Sequence, residues 1–378
     1  MGRALILDAA GHEPAPLTSY ERRLRSDLQE GGKFYQRQKD LIAFRKFSLS
    51  EKIELSLDRI NEWGEHWGWD KVAVSYSGGK DSSVLLWLVR QIKPNCPGIF
   101  ANTGLEYPEV VRLVKSTSDI HIVRPKIPFH HVIRDHGWPM VSKKVARGIK
   151  IMRHPTGKNQ NIVRLYNEGI NRFGEKVSGF QVPKRWRFLI DAPFEVSDKC
   201  CEIMKKEPMH RASKELGGIT QFIGTMASDS KAREKTYLQH GCNAFEMKTP
   251  RSTPMGFWTE QDVFECIHTH KIPYASIYGN IHRERFTGEW KASGVHRTGC
   301  VYCGFGLHMD EGEINRLQRL HGSHPKLWSY CMDRLGLRGV LDYMRQHCPD
   351  RHVAECFTGE PIQKPRQLNM FSTGKGAH

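Results

Sequence analysis

The stretch Val72–Leu86, VAVSYSGGKDSSVLL, limits the possible folds of this chain more strongly than any other. Its first three residues are typical of a short buried strand, and the apolar residues from Val84 onward recur at helical spacing. The Ser-Gly-Gly-Lys-Asp-Ser segment between them predicts a tight turn whose glycines let the backbone approach a ligand closely. Because the amides and the positive end of the new helix face this turn, the segment predicts an anion site suited to phosphate.

The alternation of strand and helix continues after this turn. PGIFANTGLEYPEVVRLV and IHIVRPKIPFHHVI each indicate a strand followed by a helix, and TQFIGTMAS (Thr220–Ser228) predicts a strand that completes the sheet. Successive β–α units favour the α/β class, with a parallel twisted sheet that carries helices on both faces. Ligands are then expected at the carboxyl ends of the strands.

The same patterns predict a domain organisation with helical appendages at both ends of the chain. The segment at about 142–199 has weak periodicity and many basic residues, so it is interpreted as a long basic loop inserted into the sheet domain. The predicted parts are an N-terminal helical appendage (1–47), a nucleotide-binding α/β domain (48–250), a C-terminal helical region that bears cysteines (251–365) and a disordered tail (366–378).

The composition is that of a soluble globular protein with an excess of positive charge. The 378 residues carry 57 Lys and Arg against 41 Asp and Glu, a formal net charge of +16, which favours a polyanionic partner or substrate. SKKVARGIKIMRHPTGK and VPKRWRF, in which an aromatic residue is interleaved with the charges, indicate either a nucleic-acid surface or a solvated basic loop. With neither a secretory start nor a membrane-length apolar run, a cytoplasmic protein without membrane contact is expected.

Four of the ten cysteines have a spacing that suggests metal binding. Cys200 and Cys201 are adjacent, and Cys300 and Cys303 form a CxxC pair flanked by glycine. Four thiolates could hold either zinc or an iron–sulfur cluster, and the spacing alone favours neither. A redox pair and buried structural thiols are the alternatives.

Over roughly residues 60–345 these motifs resemble the phosphoadenylyl-sulfate (PAPS) reductase family of the PP-loop ATP-pyrophosphatase superfamily, also called the adenine nucleotide α hydrolases. The adjacent cysteines and the distant CxxC resemble the four-iron cluster motif of adenylyl-sulfate reductases. The resemblance implies a 4Fe–4S cluster on Cys200, Cys201, Cys300 and Cys303. It also implies ATP or phosphoadenylyl sulfate as the bound nucleotide, with Mg²⁺ if ATP is used.

The resemblance extends to three segments that contact the nucleotide in this family: the SGGKDS loop, FANTGLEYPE and GTMASDSKAR. Lys80 would supply a point charge to the phosphates, and Asp81 would position Mg²⁺ or, alternatively, cap the loop helix. Asp229 could likewise be a helix cap. The nucleotide-binding residues implied are Ser75, Ser77, Gly78, Gly79, Lys80, Asp81, Ser82, Asn102, Thr103, Gly104, Gly224, Asp229, Ser230 and Arg233.

Two features depart from the reductase pattern. Sulfonucleotide reductases carry a catalytic cysteine in an ECGxH segment, whereas this chain has Glu355-Cys356-Phe357-Thr358-Gly359. The resemblance makes Cys356 the candidate nucleophile, and Lys80 and Asp81 are the other candidate catalytic residues. The neighbours of Cys356 in sequence offer little to lower the pKa of its thiol. The SGGKDS loop, in turn, is closer to the form in ATP pyrophosphatases.

Three functions therefore stay open. The first is a PAPS reductase-like enzyme of sulfur metabolism, and the second is an ATP pyrophosphatase that adenylylates a nucleic acid or another acceptor for sulfur transfer, as in tRNA thiolation or DNA phosphorothioation. The third is a nucleotide-sensing or nucleic-acid-binding module of a defence or mobile-element complex. The expected partners are an adenine nucleotide, a nucleic acid at the basic insertion, and a thiol reductant or sulfur-donor protein; the oligomeric state is not predicted.

Overall fold

A computed structural model of the protein describes residues 32–310 and 314–360. Most of the predicted N-terminal appendage and the whole of the predicted tail 366–378 lie outside these ranges. The chain divides into two compact units that are interleaved in sequence. The first unit takes in the residues up to Val132, Gly169–Gly179 and Lys199–Cys300, and the second takes in Ile133–Glu168, Phe180–Asp198 and the residues from Val301 onward. The predicted domain boundaries stay a prediction.

The first unit alternates strands and helices through most of its length. Its second helix begins with a capping box in which the side chains and amides of Ser48 and Glu51 bond reciprocally. Its strands are β1 (Val72–Ser75), β2 (Gly98–Ala101), β3 (Ile120–Val123), β5 (Thr220–Ile223), β6 (Asn243–Ala244), β7 (Arg251–Ser252), β8 (Ile281–Arg283) and β9 (Trp290–Ala292). Its helices are α1 (Lys33–Arg45), α2 (Leu49–Trp67), α3 (Lys80–Ile92), α4 (Pro108–Ser116), α8 (Lys199–Cys201, continued by a π turn at Glu202–Lys206), α9 (Glu207–Glu215), α10 (Lys231–His240) and α11 (Glu260–His270). Helix α5 (Phe129–His136) spans the boundary between the units.

Six strands of the first unit form one sheet in the order β3-β2-β1-β5-β7-β6. All neighbours are parallel except β6, which runs antiparallel to β7. The predicted α/β class is confirmed. The strand predicted at TQFIGTMAS is present but shorter, because the chain leaves the sheet at Gly224 and turns into a 3-10 helix at Ala227–Asp229. It does not complete the sheet, since β7 and β6 follow it.

Helices cover both faces of this sheet. On one face Ala73, Ile99 and Val123, one residue from each of three neighbouring strands, pack in a buried cluster with Ala212 of α9. On the other face α3 packs against β1 and β5 and is itself covered by α2 and α11. This arrangement buries the apolar strands from both sides, as the near-continuous hydrophobic composition of β1 predicts.

The second unit contains most of the predicted basic insertion, and there the prediction of a long loop is wrong. Two helices and a 3-10 helix fold this segment, because Val145, Ile149 and Leu189 are buried in the unit. Trp186, the aromatic residue among the charges of VPKRWRF, is only 2% exposed and packs edge-on against His308. The elements of the unit are β4 (Met140–Val141), α6 (Lys143–Arg153), α7 (Gln160–Glu168), the 3-10 helix Lys184–Asp191, β10 (Gly304–Phe305), α12 (Arg316–Ser323), α13 (Pro325–Ser329), the π turn Tyr330–Arg334, α14 (Leu337–His347) and α15 (Arg351–Glu355).

Two arginines of the insertion are paired with carboxylates within the second unit. Arg147 lies 2.6 Å from Asp198, and Arg153 lies 3.2 Å from Glu195. Trp186 is therefore unavailable for stacking on a base, and these two arginines are already neutralised.

Among residues 32–310 and 314–360, no helix combines the length and apolar composition needed to cross a membrane.

Candidate nucleotide site

The candidate site lies at the carboxyl edge of the six-stranded sheet, where the strand order reverses. From β1 the chain moves to β2 and β3 on one side, whereas β5 lies on the other side of β1. Ligands bind at such switch points in open parallel sheets, outside the carboxyl ends of the strands. The backbones meet closely here: a Cβ added to Gly224, after β5, would lie 3.2 Å from the carbonyl oxygen of Asp81.

The SGGKDS loop connects β1 to α3 and is held by its own hydroxyl groups. The amide of Ser77 donates to Oγ of Ser82 at 3.1 Å, and the amide of Gly79 donates to Oγ of Ser77 at 3.3 Å. Gly78 has φ +67°, and a Cβ there would lie 2.7 Å from a side-chain carbon of Val110, so only glycine fits. Gly79 is the N-cap of α3 without a side-chain cap, which leaves the first-turn amides of Asp81 and Ser82 available for an anion.

Lys80 is buried, and its ammonium group lies between two carboxylates. Nζ is 3.0 Å from Oδ1 of Asp81 and 3.1 Å from Oε1 of Glu260, the first residue of α11. Burial opposes the charge on Lys80, but Asp81 and Glu260 outweigh it and hold the pKa of the ammonium above its ordinary value. Burial raises the pKa of Asp81, and Lys80 offsets part of that effect. Asp81 thus binds its neighbour instead of capping the helix.

A tyrosine supports the loop from the segment that follows α11. The backbone amide of Lys80 donates to the hydroxyl of Tyr278 at 3.2 Å, and this hydroxyl shares a 2.9 Å hydrogen bond with Oγ1 of Thr298. A Cβ on Gly79 would lie 3.1 Å from the same threonine hydroxyl. Tyr278 and Thr298 therefore hold the start of α3 in place through hydrogen bonds.

The turn after β2 carries the second predicted group of nucleotide residues. Oδ1 of Asn102 accepts the amide of Gly104 at 3.1 Å, and Gly104 has φ +75°. Glu106 closes the turn by accepting the amide of Thr103 at 3.0 Å and its hydroxyl at 2.7 Å. This turn follows β2 just as the SGGKDS loop follows β1, and the two strands are neighbours.

The segment after β5 carries the third group. Asp229 accepts the amide of Met226 at 3.0 Å and forms an ion pair with Arg233. Asp229 therefore closes the start of the 3-10 helix Ala227–Asp229, whose N-cap is Met226, as the alternative capping role predicted, while Ser230 is the N-cap of α10. Arg233 is half exposed and lines a cavity of about 180 Å³.

Three of the four predicted ligand cysteines belong to the first unit, and Cys303 belongs to the second. The sulfur atoms of Cys200 and Cys201 lie 4.0 Å apart, and Lys205 forms a hydrogen bond with the thiol of Cys300. Burial raises the pKa of that thiol, and Lys205 opposes the increase. Within 32–310 and 314–360, no three or more His, Cys, Asp or Glu side chains are grouped so that they could hold a metal.

Cys356 belongs to the second unit and follows α15. Its thiol donates to the carbonyl oxygen of His352 at 3.4 Å. Burial and the nearby carboxylates of Glu355 and Asp310 raise the pKa of this thiol above its ordinary value. Its surroundings therefore do not activate it as a nucleophile.

Four residues around the site were not identified from sequence: Glu260, Tyr278, Glu106 and Lys205. Glu260 and Tyr278 lie in FWTEQDVFECI and IPYASIYG, two stretches that resemble the reductases, yet neither residue stands in a recognisable chemical motif. A signal was available for Glu106, because it stands three residues after Thr103 and can cap that turn. Lys205 follows the adjacent cysteines within one turn of helix.

Comparison with known proteins identifies the family. The sequence profile of the phosphoadenosine phosphosulfate reductase domain matches residues 71–143 and 171–304, more than half of the chain. The unmatched stretch between these segments, 144–170, lies within the predicted basic insertion.

Individual relatives carry the same name. The chain is 24% identical over 231 residues to phosphoadenosine 5'-phosphosulfate reductase of Xylella fastidiosa (strain 9a5c), covering 59% of this chain and 76% of that protein. It is 26% identical over 233 residues to the enzyme of that name from Xanthomonas axonopodis pv. citri (strain 306), covering 61% and 76%. A crystal structure of PAPS reductase from Candida auris, a phosphate complex, aligns with a TM-score of 0.34 at 16% identity over 71% of this chain and 96% of that one. By the profile match, this chain belongs to the phosphoadenosine phosphosulfate reductase domain family.

Proposed function

We propose that the protein is a sulfonucleotide reductase that binds phosphoadenylyl sulfate at the edge of the sheet and releases sulfite. The observation that carries the proposal is the family match, which spans the SGGKDS loop, the turn after β2 and Gly224. In this proposal the amides at the start of α3 bind a nucleotide phosphate, and Gly78 and Gly224 keep the backbone open for it. Asn102, in the turn after β2, and Arg233, in α10, provide polar contacts to the nucleotide.

Cys356 is the proposed nucleophile. Its thiolate would attack the sulfate sulfur, forming an S–S bond while the S–O bond to the adenylyl phosphate breaks and the nucleotide leaves as adenosine 3',5'-bisphosphate. A thiol reductant would then attack the enzyme sulfur of the thiosulfonate, releasing sulfite and leaving a mixed disulfide. A second thiol of the reductant would restore Cys356 and itself become a disulfide.

The test measures two products from one sample. Anaerobically purified protein is titrated with phosphoadenylyl sulfate and with ATP, and sulfite and pyrophosphate are then assayed in the presence of a dithiol reductant. Sulfite that disappears in Cys356→Ser supports the reductase. Nucleotide binding without sulfite, at any concentration of reductant, contradicts it.

A second candidate is the ATP pyrophosphatase, and the charge around the loop favours it. Lys80 and Arg233 face the carboxylates of Asp81, Asp229 and Glu260, so the fixed charge is negative by one unit. A nucleotide that brings its own cation, such as Mg–ATP, suits these surroundings, since Mg²⁺ binds mainly to phosphates with one or two protein carboxylates. Pyrophosphate from ATP without sulfite would establish this function.

We also propose that Cys200, Cys201, Cys300 and Cys303 ligate a 4Fe–4S cluster. Their spacing supports this, and the thiolates would have to close together on the cluster. Iron and sulfide analysis of anaerobically purified protein tests the proposal. Cys300→Ser should lose the iron and the brown colour, whereas Cys348→Ser, which can keep its bond to the carbonyl of Asp350, should retain both. A colourless wild type with stoichiometric zinc would contradict it.

A further inference from the structure

Two hairpins of the first unit each expose a phenylalanine beside an arginine. The short hairpin, Gly169–Gly179, is closed by an antiparallel bridge between Ile170 and Lys176. The long hairpin is formed by β8 and β9. Phe173 at the tip of the short hairpin is 71% exposed, and Phe286 at the tip of the long hairpin is 96% exposed, more than any other large apolar side chain in the described residues.

One acidic side chain of each hairpin is held by internal bonds, whereas Glu289 of the long hairpin is exposed. In the short hairpin Glu175 accepts Nδ2 of Asn171 at 2.9 Å. In the long hairpin Glu284 accepts both the hydroxyl of Thr287 and Nζ of Lys291 at 2.6 Å. Each tip therefore offers an arginine and an aromatic ring to a partner, and internal hydrogen bonds hold the carboxylates of Glu175 and Glu284 within their hairpins.

The arginine beside each ring completes the pattern. The guanidinium of Arg172 lies 4.6 Å from the centroid of the Phe173 ring, and Arg285 directly precedes Phe286. A planar cation next to an exposed ring matches a nucleotide, whose base stacks on the ring while its phosphate pairs with the cation. It suits an apolar protein surface poorly, because the guanidinium would be desolvated without a partner.

The long hairpin is joined directly to the nucleotide site. Below β8 and β9 the pairing continues, with the amide of Gly294 donating to the carbonyl of Tyr278 at 2.8 Å. Tyr278 is the residue whose hydroxyl accepts the amide of Lys80. At about 3.4 Å per residue, the stem from Tyr278 to Glu284 is about 20 Å long. A flexible polymer held at Phe286 can therefore span the distance to the SGGKDS loop.

We propose that the two hairpin tips bind single-stranded nucleic acid, with bases stacked on Phe173 and Phe286 and phosphates paired with Arg172 and Arg285. The net charge of +16 is complementary to this partner. The proposal goes beyond the reductase, which needs only a free nucleotide. It replaces the predicted stacking on Trp186, which is buried.

The test is fluorescence anisotropy of the full chain with labelled single-stranded oligodeoxythymidine at several salt concentrations. Phe286→Ala and Phe173→Ala should each weaken binding about tenfold, and the double variant about a hundredfold. Arg285→Gln should lower the slope of log affinity against log salt by about 0.7. Ile42→Ala, at an apolar side chain 53% exposed on α1, is the matched control and should bind as the wild type does.

Each alternative result overturns the proposal. Absence of oligonucleotide binding at low salt would do so, as would equal binding of a duplex of the same length or unchanged affinity in both phenylalanine variants. A protein partner lost on Phe286→Ala, with no oligonucleotide binding, would assign the tips to that protein. Sulfite and pyrophosphate assays on the same variants keep the questions apart: whichever product the wild type forms should form at the wild-type rate from free nucleotide in each variant. If the wild type forms neither product yet binds the oligonucleotide, the proposed enzyme fails and the tip assignment stands.

Discussion

The contact of Lys80 with Glu260 predicts two opposite changes in nucleotide binding. The ammonium is 3.1 Å from Glu260, so this carboxylate competes with a bound phosphate for the same cation. Lys80→Met, which keeps the length and the apolar stem, should weaken nucleotide binding at least tenfold. Glu260→Gln should strengthen it a few-fold, because it removes both the competitor and a negative charge near the phosphates.

The same pair predicts a measurable loss of stability. Removing one partner of a fully buried pair costs about 3–5 kcal/mol. Here the lysine side chain is 5% exposed but the Asp81 and Glu260 side chains are 33% and 44% exposed, so water can solvate the carboxylates that are left. We therefore expect Lys80→Met to lower the free energy of unfolding by about 1–3 kcal/mol. The double variant with Glu260→Gln should reveal a coupling of about 1 kcal/mol.

Urea denaturation followed by tryptophan fluorescence measures the stabilities, and isothermal titration measures nucleotide affinity on the same preparations. Lys52 offers a matched control, since it forms a buried ion pair with Asp262 at 2.7 Å outside the site. Lys52→Met should destabilise the protein by about 3–5 kcal/mol with unchanged affinity. The reasoning is refuted if Lys80→Met and Glu260→Gln act additively on stability, or if Glu260→Gln weakens nucleotide binding.

Three further predictions concern the thiol, the loop and acid stability. Sulfite formation should rise about tenfold per pH unit between about pH 7 and pH 9, because the pKa of Cys356 is raised by burial and only its thiolate attacks; a plateau in initial rates below about pH 8 contradicts this. Gly78→Ala should weaken nucleotide binding at least tenfold in titration, since its Cβ would clash with α4 at positive φ, whereas Gly157→Ala, with open space around it, should bind normally. Asp310→Asn should lower the urea midpoint at neutral pH. Burial works against the charge on Asp310, but hydrogen bonds from Arg316 hold the pKa of its carboxyl below the ordinary value. The extra stability of the wild type is therefore complete above about pH 3.8 and shrinks as the pH falls through the lower pKa of the folded state. An equal difference in urea midpoint at all pH values contradicts the assignment.

The sheet and the turns that shape the site were predictable because their signals are local. Three apolar residues, followed within a few residues by Gly-Gly and then by a helical pattern, leave few alternatives to a strand, a turn and a helix, which is what Val72–Ile92 forms. The repeats of this unit at β2 and β3 were predicted for the same reason. Strands β6 and β7 were not predicted, since two residues each are too short to display a period of two.

What was missed depends on contacts between residues far apart in sequence. No sequence signal near Lys80 indicates that Glu260 will form an ion pair with it. The basic insertion was interpreted as a loop because its charges obscured apolar residues at helical spacing, such as Val145 and Ile149 in α6. Trp186 beside three basic residues suggests stacking, and only its packing against His308 shows that it is core.

The charge around the loop separates the two candidate enzymes by a measurement that needs no turnover. Phosphoadenylyl sulfate has no chain of adjacent phosphates to chelate Mg²⁺ and gains its affinity from amides and polar groups, so added Mg²⁺ should change its binding little. ATP carries more charge on adjacent phosphates and should bind at least tenfold more weakly when Mg²⁺ is chelated. Isothermal titrations of both nucleotides, with Mg²⁺ and with a chelator, measure this. Tight, metal-independent binding of phosphoadenylyl sulfate together with weak ATP binding favours the reductase. Tight, Mg²⁺-dependent binding of ATP together with weak binding of phosphoadenylyl sulfate favours the pyrophosphatase. Equal metal dependence for both nucleotides would show that the fixed charges do not discriminate between them.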